Sequence, residues 1–267
     1  MKSTELFKSK KAKFLLLGIL ALLATTWVLL TPAGLDGKIR AIGFAVCHQI
    51  ESHSLEIGGK VLPLCSRCTG MFLGTLMAMM VLSNREKRSE GPSRTKTAIL
   101  GVFFLLFVFD GVNSTLSFFS SSHPIYPPSN LLRLITGLMM GTILANLLLP
   151  LWNQTLWADP KKEKVLATWK QFILLFLAET VAGVLVIMNI PFLFYPIAIL
   201  SIGMILLILN MVYSMLWMIL LNRENSLQHF KEGFPYYLLG WITVFLQIGL
   251  MDFLRFRLVG SWLGFQI

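Results

Sequence analysis

All three cysteines of the chain and two of its four histidines lie between Cys47 and Cys68, in the stretch CHQIESHSLEIGGKVLPLCSRC. Cys47 adjoins His48, His53 follows, a Gly58-Gly59 turn reverses the chain, and Cys65-Ser66-Arg67-Cys68 completes the set. Thiolate and imidazole are the ligands of thiophilic cations, and a C-x-x-C pair is also the unit of thiol–disulfide exchange. Three thiolates and one imidazole make the four ligands of a zinc site. Cys47, Cys65, Cys68 and His48 are therefore the expected metal ligands, Zn2+ the expected ion and His53 the alternative fourth ligand. His48 adjoins Cys47, so it can ligate the same ion only where the backbone turns sharply. The exchange reading instead makes Cys65 and Cys68 the redox pair, with Cys47 as an extra thiol. A structural pin, either a closed metal knot or a disulfide tying the loop to the next helix, is the third reading. A c-type haem is not expected, because Thr69 stands where that attachment needs a histidine.

The elements that must position this stretch are membrane helices. Of 267 residues, 55% are hydrophobic and 13% charged, and the mean hydropathy is +0.72, far more apolar surface than one soluble core needs. The lysine-rich start, Lys2 to Lys13, runs directly into an apolar segment, Phe14 to Leu30, without a good cleavage site, which reads as an uncleaved signal anchor. Further apolar runs cover Leu64–Leu82, Thr97–Phe119, Asn130–Leu149, Gln171–Met188, Phe192–Leu221 and Phe234–Asp252, each near the ~20 residues that span a bilayer. The expected fold is an all-α membrane protein of about seven transmembrane helices. Its divisions are the anchor helix at 1–30, the Cys/His loop with helices two to four at 31–150, and helices five to seven at 151–267.

Charge sets the expected orientation. With the N-terminus in the cytoplasm, sixteen Lys and Arg fall on the cytoplasmic side, in 1–13, 83–97, 151–170 and 222–233. The seven on the other side are Lys38, Arg40, Lys60, Arg67, Arg133, Arg255 and Arg257, so the C-terminus and the Cys/His loop are extracytosolic. That compartment oxidises unprotected thiols. The net charge of +10 is thereby accounted for by topology, and with basic residues spread among loops without interleaved aromatics, nucleic acid is not an expected partner. The lipid bilayer is, and the expected location is the plasma membrane of a prokaryote.

Small residues recur every fourth position in two helices, as Gly70, Gly74, Ala78 and as Gly137, Gly141, Ala145, which lets backbones approach closely in lipid. Arg133 continues the second stripe backwards. Asp110, Asn113, Ser114 and Ser117 form a polar stripe on the third spanning helix. An ionisable residue inside a membrane signals function with a partner, so Asp110 and Arg133 are the candidate catalytic residues, expected to pair across helices three and four, with a purely structural pair that locks those helices as the alternative. Glu179, Asn210, Gln247 and Asp252 are further intramembrane polar residues, and Asp252 is near enough to Arg255 for an interfacial pair.

The run CHQ, then Gly-Gly, then PLC-x-RC-T-G, together with Asp110-Gly111, Asn130-Leu-Leu-Arg133 and Thr136-Gly137, resembles the prokaryotic membrane-protein family catalogued as domain of unknown function 2085, over about residues 41–145. The resemblance implies a multipass protein in which Cys47, His48, Gln49, Cys65, Arg67, Cys68, Asp110, Asn130 and Arg133 occupy motif positions, and it implies no particular activity. Where the family pattern has Arg-Ser this chain has His53-Ser54, which favours His48 over His53 as a ligand. The leading expectation is a membrane-embedded metal-dependent enzyme or metal-handling protein. A thiol–disulfide oxidoreductase, and a transporter using Asp110, Glu179 and Arg133, are the alternatives.

Overall fold

The computed structural model describes residues 9–83, 87–117 and 124–264. Lys2, Lys8, Arg85 and Phe119, which entered the topology reading, lie outside the described residues. Eight α-helices occur among the described residues: α1 Lys10–Leu30, α2 Gly34–Val46, α3 Ser66–Leu82, α4 Arg94–Leu116, α5 Asn130–Leu156, α6 Trp169–Ile187, α7 Phe194–Leu220 and α8 Phe234–Val259. Six of them, all but α2 and α3, are long and apolar enough to cross a membrane. The all-α membrane fold expected from composition is thus what the chain adopts, with most predicted helix ends shifted by four residues or fewer and those of α5 and α8 extended by seven at their C-termini.

Two departures concern the site. Gly34–Val46 was not anticipated, because a 13-residue helix with Asp36, Lys38 and Arg40 along it is too short and too charged to read as a span. It delivers the chain directly to Cys47. The second expected span shrinks to the 17 residues of α3, about 25 Å of rise against about 30 Å of hydrocarbon. The shortfall is tolerated because α3 is the inner helix, packed against α5, α6 and α7. Nine of its residues are buried, from Ser66 to Leu82.

The two small-residue stripes face one another, as their spacing predicts. A Cβ on Gly70 would meet the carbonyl of Leu134, and one on Gly74 would lie 2.9 Å from the Cα of Leu138. From the other side, a Cβ on Gly137 would strike the carbonyl of Arg67 and one on Gly141 the backbone of Met71, Gly74 and Thr75. Ala78 and Ala145 continue the seam fully buried. Without a solvent-driven hydrophobic effect in lipid, this close backbone packing is what holds two apolar helices together.

The connections gather at two ends. At the basic end β3 Arg88–Glu90 pairs in parallel with β4 Lys161–Lys164, Trp157 bridges to Leu227, and the Lys87 ammonium donates to the Gln228 carbonyl at 3.2 Å. These are the loops that charge assigned to a common side. At the cysteine end, the hairpin β1 Glu56–Ile57 and β2 Lys60–Val61 turns at Gly58 and Gly59, whose φ of 59° and 78° lie in the left-handed region that a two-residue hairpin requires. The Gly58 amide donates to Asn189 Oδ1 at 2.8 Å, and Ile57, Leu62 and Leu64 plug the loop into a buried apolar cluster with Leu134, Phe194 and Ile197. The loop is therefore a fixed cap on the bundle.

Candidate functional site

The three sulfurs converge. Cys47 ends α2, Cys65 is the N-cap of α3 and Cys68 lies in that helix's first turn, and their Sγ atoms all lie within 4.8 Å of one another. All three are free thiols, with Cys47 and Cys65 buried and Cys68 partly so. Two backbone amides point at them: Cys65 N donates to Cys47 Sγ at 3.3 Å and Cys68 N to Cys65 Sγ at 3.5 Å. Amide donors aimed at sulfur favour thiolate over thiol. The Cys47 thiol is pulled well below its ordinary value because the Cys65 and Cys68 thiols both donate to it, and the Cys65 thiol is pushed up correspondingly. Cys47 is thus the sulfur that holds negative charge first.

His48 and His53 stand outside this group of three. Their rings pack edge to face with centroids 5.4 Å apart, and His48 Nδ1 accepts the Ile50 amide at 3.0 Å. Burial lowers both imidazoles, His53 to about 4, with the nearby arginines acting in the same direction, so both rings are neutral at pH 7. The loop that carries them is clamped by Gln49, itself at φ 52°, whose amide donates to the Pro63 carbonyl at 2.8 Å and the Arg40 carbonyl at 3.0 Å. Arg255 from α8 reaches over the top. Its guanidinium lies 4.1 Å over the Phe44 ring and donates to the carbonyls of Phe44, Cys47 and His48.

The polar stripe of α4 faces inward as its spacing predicts, but its ion pair is a different one. Asp110 pairs with Arg67, not with Arg133. Arg67 also donates to Ser114 Oγ at 3.1 Å, Tyr126 donates to Asp110 Oδ1 at 2.8 Å, and Thr136 Oγ1 lies 3.5 Å from Oδ2. Asn113 fixes Tyr126 by accepting the Ile125 amide at 2.7 Å and donating to the Tyr126 carbonyl at 2.9 Å. Burial and the Asp110 carboxylate push the Tyr126 phenol up to about 12. Arg133, only 4% exposed, donates through Nη1 to Asn130 Oδ1 at 2.8 Å, and Asn130 in turn donates to the carbonyls of Ser52 and Ser54 in the cysteine loop. The reason for the swap is directional. Arg67 projects from the α3 turn toward α4, whereas Arg133, one turn above Gly137 on the seam, is drawn back to Asn130.

Sequence reasoning gave Arg67 only a motif position and a charge, and gave Tyr126 and the reach of Arg255 no role. The signal for Arg67 was its place between the two cysteines of the C-x-x-C. No local signal marked Tyr126, which lies between α4 and α5.

The stretch that carries the site also matches a known family model. Residues 47–147 match the family model of predicted membrane proteins, DUF2085. The DUF2085 segment takes in the three cysteines, Arg67, Asp110, Tyr126, Asn130 and Arg133, and it coincides with the stretch over which the motifs resemble that family. No curated protein and no solved structure matches the chain. Arg255 lies outside the DUF2085 segment yet closes its loop.

Proposed function

We propose that this is a multipass protein of a prokaryotic plasma membrane whose extracytosolic end carries a zinc site on Cys47, Cys65 and Cys68. The observation that carries the reading is the mutual approach of three Sγ atoms within 4.8 Å. A tetrahedral ion with Zn–S bonds of about 2.3 Å separates its sulfurs by about 3.8 Å, so small rotamer adjustments bring all three into its coordination sphere. Three protein ligands leave a fourth position. His48 is the residue proposed for it, through Nε2, since Nδ1 is engaged with the Ile50 amide. With His48 turned away, the fourth position belongs to water or substrate, the usual arrangement of catalytic zinc. Asp110, oriented by Arg67 and Tyr126, and Arg133 are the polar groups proposed to act on a bound molecule.

Purified protein is expected to hold about one zinc per chain by elemental mass spectrometry, and to expose three reactive thiols only after chelation. A preparation free of metal, in which Cys65 and Cys68 interconvert between disulfide and dithiol, overturns the zinc reading. It would favour thiol–disulfide exchange, for which the thiolate-stabilising contacts at Cys47 are the supporting observation.

A further inference from the structure

Among the described residues the cysteine end holds three guanidiniums, of Arg67, Arg133 and Arg255, and two buried carboxylates, of Asp110 and Asp252; Arg255 is committed to the carbonyls of Phe44, Cys47 and His48 and Asp252 accepts from Trp27. Asp110 is committed to Arg67, Tyr126 and Thr136. Arg133 has no carboxylate partner among the described residues, and its hydrogen bond is the single one to Asn130. Its Nε is buried without a hydrogen-bond partner, and so is the Nε of Arg67. Buried donors left without acceptors are costly, and a buried cation without a counter-charge more so. Both features are removed at once by an oxyanion, whose oxygens match the planar fork of a guanidinium.

We propose that Arg133, with Arg67, forms a subsite for a phosphate-class oxyanion beside the three cysteines. The glycine seam lays the Arg133 end of α5 on the first turn of α3, where Gly137 meets the Arg67 carbonyl, so both arginines stand at the cysteine end of the same helix pair and each repels the other's charge. The binding rests on the guanidiniums alone. What the anion does there rests on the zinc reading in which His48 is turned away: it is the substrate group delivered to the cation's open fourth position.

Such a phosphate has two sources, free in solution or carried on a lipid, and one feature favours the second. A groove of about 320 Å³ between α4 and α5 is walled by Leu106, Phe109, Leu132, Ile135 and Met139 and reaches Asp110, Tyr126 and Thr136. Leu106, Phe109, Leu132 and Ile135 are all among the exposed apolar side chains, so the groove opens on the lipid-facing surface. An acyl chain laid in it would bring its headgroup to the polar end, next to the partner of Arg67.

The test uses the full chain in detergent, with inorganic phosphate and with mixed micelles of phosphatidylglycerol or phosphatidylcholine as probes, read by thermal shift and by lipid retention in native mass spectrometry. The wild type is expected to be stabilised by phosphate beyond matched chloride and to retain phosphatidylglycerol over phosphatidylcholine. Arg133→Gln is expected to weaken both by about tenfold or more, the worth of a lost charge-assisted hydrogen-bond pair. Arg133→Lys keeps the charge and loses the fork, so it serves where Arg133→Gln fails to fold, with weakened binding expected. Ile135→Trp fills the groove. It is expected to lose the lipid and keep inorganic phosphate; retention of both overturns the groove as the seat of the lipid, and a wild type that binds phosphate without preferring phosphatidylglycerol over phosphatidylcholine assigns the site to free phosphate and overturns the lipid source. Equal binding of both probes by wild type and both Arg133 variants overturns the subsite. Zinc content is measured on each sample. Retained phosphate binding in metal-free Cys65→Ser supports the subsite independently, so failure of the zinc reading remains distinguishable.

Discussion

Replacing Asp110 by asparagine separates the ion pair in this fold from the one that residue positions alone suggested. The Asp110 carboxylate accepts from Arg67 and, at 2.8 Å, from Tyr126. Asparagine preserves the shape and one acceptor oxygen but strands the Arg67 charge. Breaking a buried ion pair from one side costs about 3–5 kcal/mol. The Asp110 side chain is 3% exposed and that of Arg67 is 21% exposed, so solvent recovers part of the loss and about 2–3 kcal/mol is expected. For a chain of this size that corresponds to a fall in Tm of about 5–10 °C. The assay is thermal unfolding in detergent followed by tryptophan fluorescence, run as two double-mutant cycles with Arg67→Met and Arg133→Met. Coupling of about 1–3 kcal/mol is expected between Asp110 and Arg67, and within about 0.5 kcal/mol of zero between Asp110 and Arg133. A larger coupling to Arg133, or an Asp110→Asn variant as stable as wild type, refutes this pairing.

Gly137→Leu is expected to force α3 and α5 apart at the Arg67 carbonyl and to cost about 3 kcal/mol or more, while Gly18→Leu on α1, where a Cβ meets nothing within 4 Å, is expected to change Tm little; equal effects in the same thermal assay would remove the seam as the reason for the packing. Trp27→Phe removes the indole donor that reaches the buried Asp252 at 2.9 Å, so a loss of about 1–3 kcal/mol is expected, with Trp27→Phe/Asp252→Leu recovering most of it. Zinc affinity measured by competition with a chromophoric chelator is expected to fall as pH is lowered, because protons compete for thiolates that the cation requires; affinity that rises with acid would exclude thiolate ligation.

Which segments are helical was legible in the sequence, because crossing a bilayer demands a length of uninterrupted apolar chain, a local property. Most helix ends moved by four residues or fewer, the C-termini at Leu156 and Val259 lie seven residues beyond the expected ends, and Phe14–Leu30 grew to Lys10–Leu30 because lysines extend a helix as readily as apolar residues do. The glycine stripes and the inward face of Asp110, Asn113 and Ser114 were equally legible, since four-residue spacing fixes a helix face whatever lies opposite. The convergence of Cys65 and Cys68 follows from their spacing in one turn. That Cys47 joins them was expected from the ligand count, but the route was decided by the tertiary structure: an unanticipated helix, the Gly58-Gly59 hairpin and the Gln49 clamp bring the chain back on itself. Partner choice was likewise decided in three dimensions. Arg67 and Arg133 both begin their helices at the cysteine end, and nothing in their spacing ranks one above the other as partner for Asp110. The ranking comes from how α3 and α5 are rotated about their own axes when the seam closes, which aims Arg67 at α4 and Arg133 at Asn130. Arg255 meets the Cys47 loop more than 200 residues away in sequence, a contact that exists only because α8 ends where α2 does.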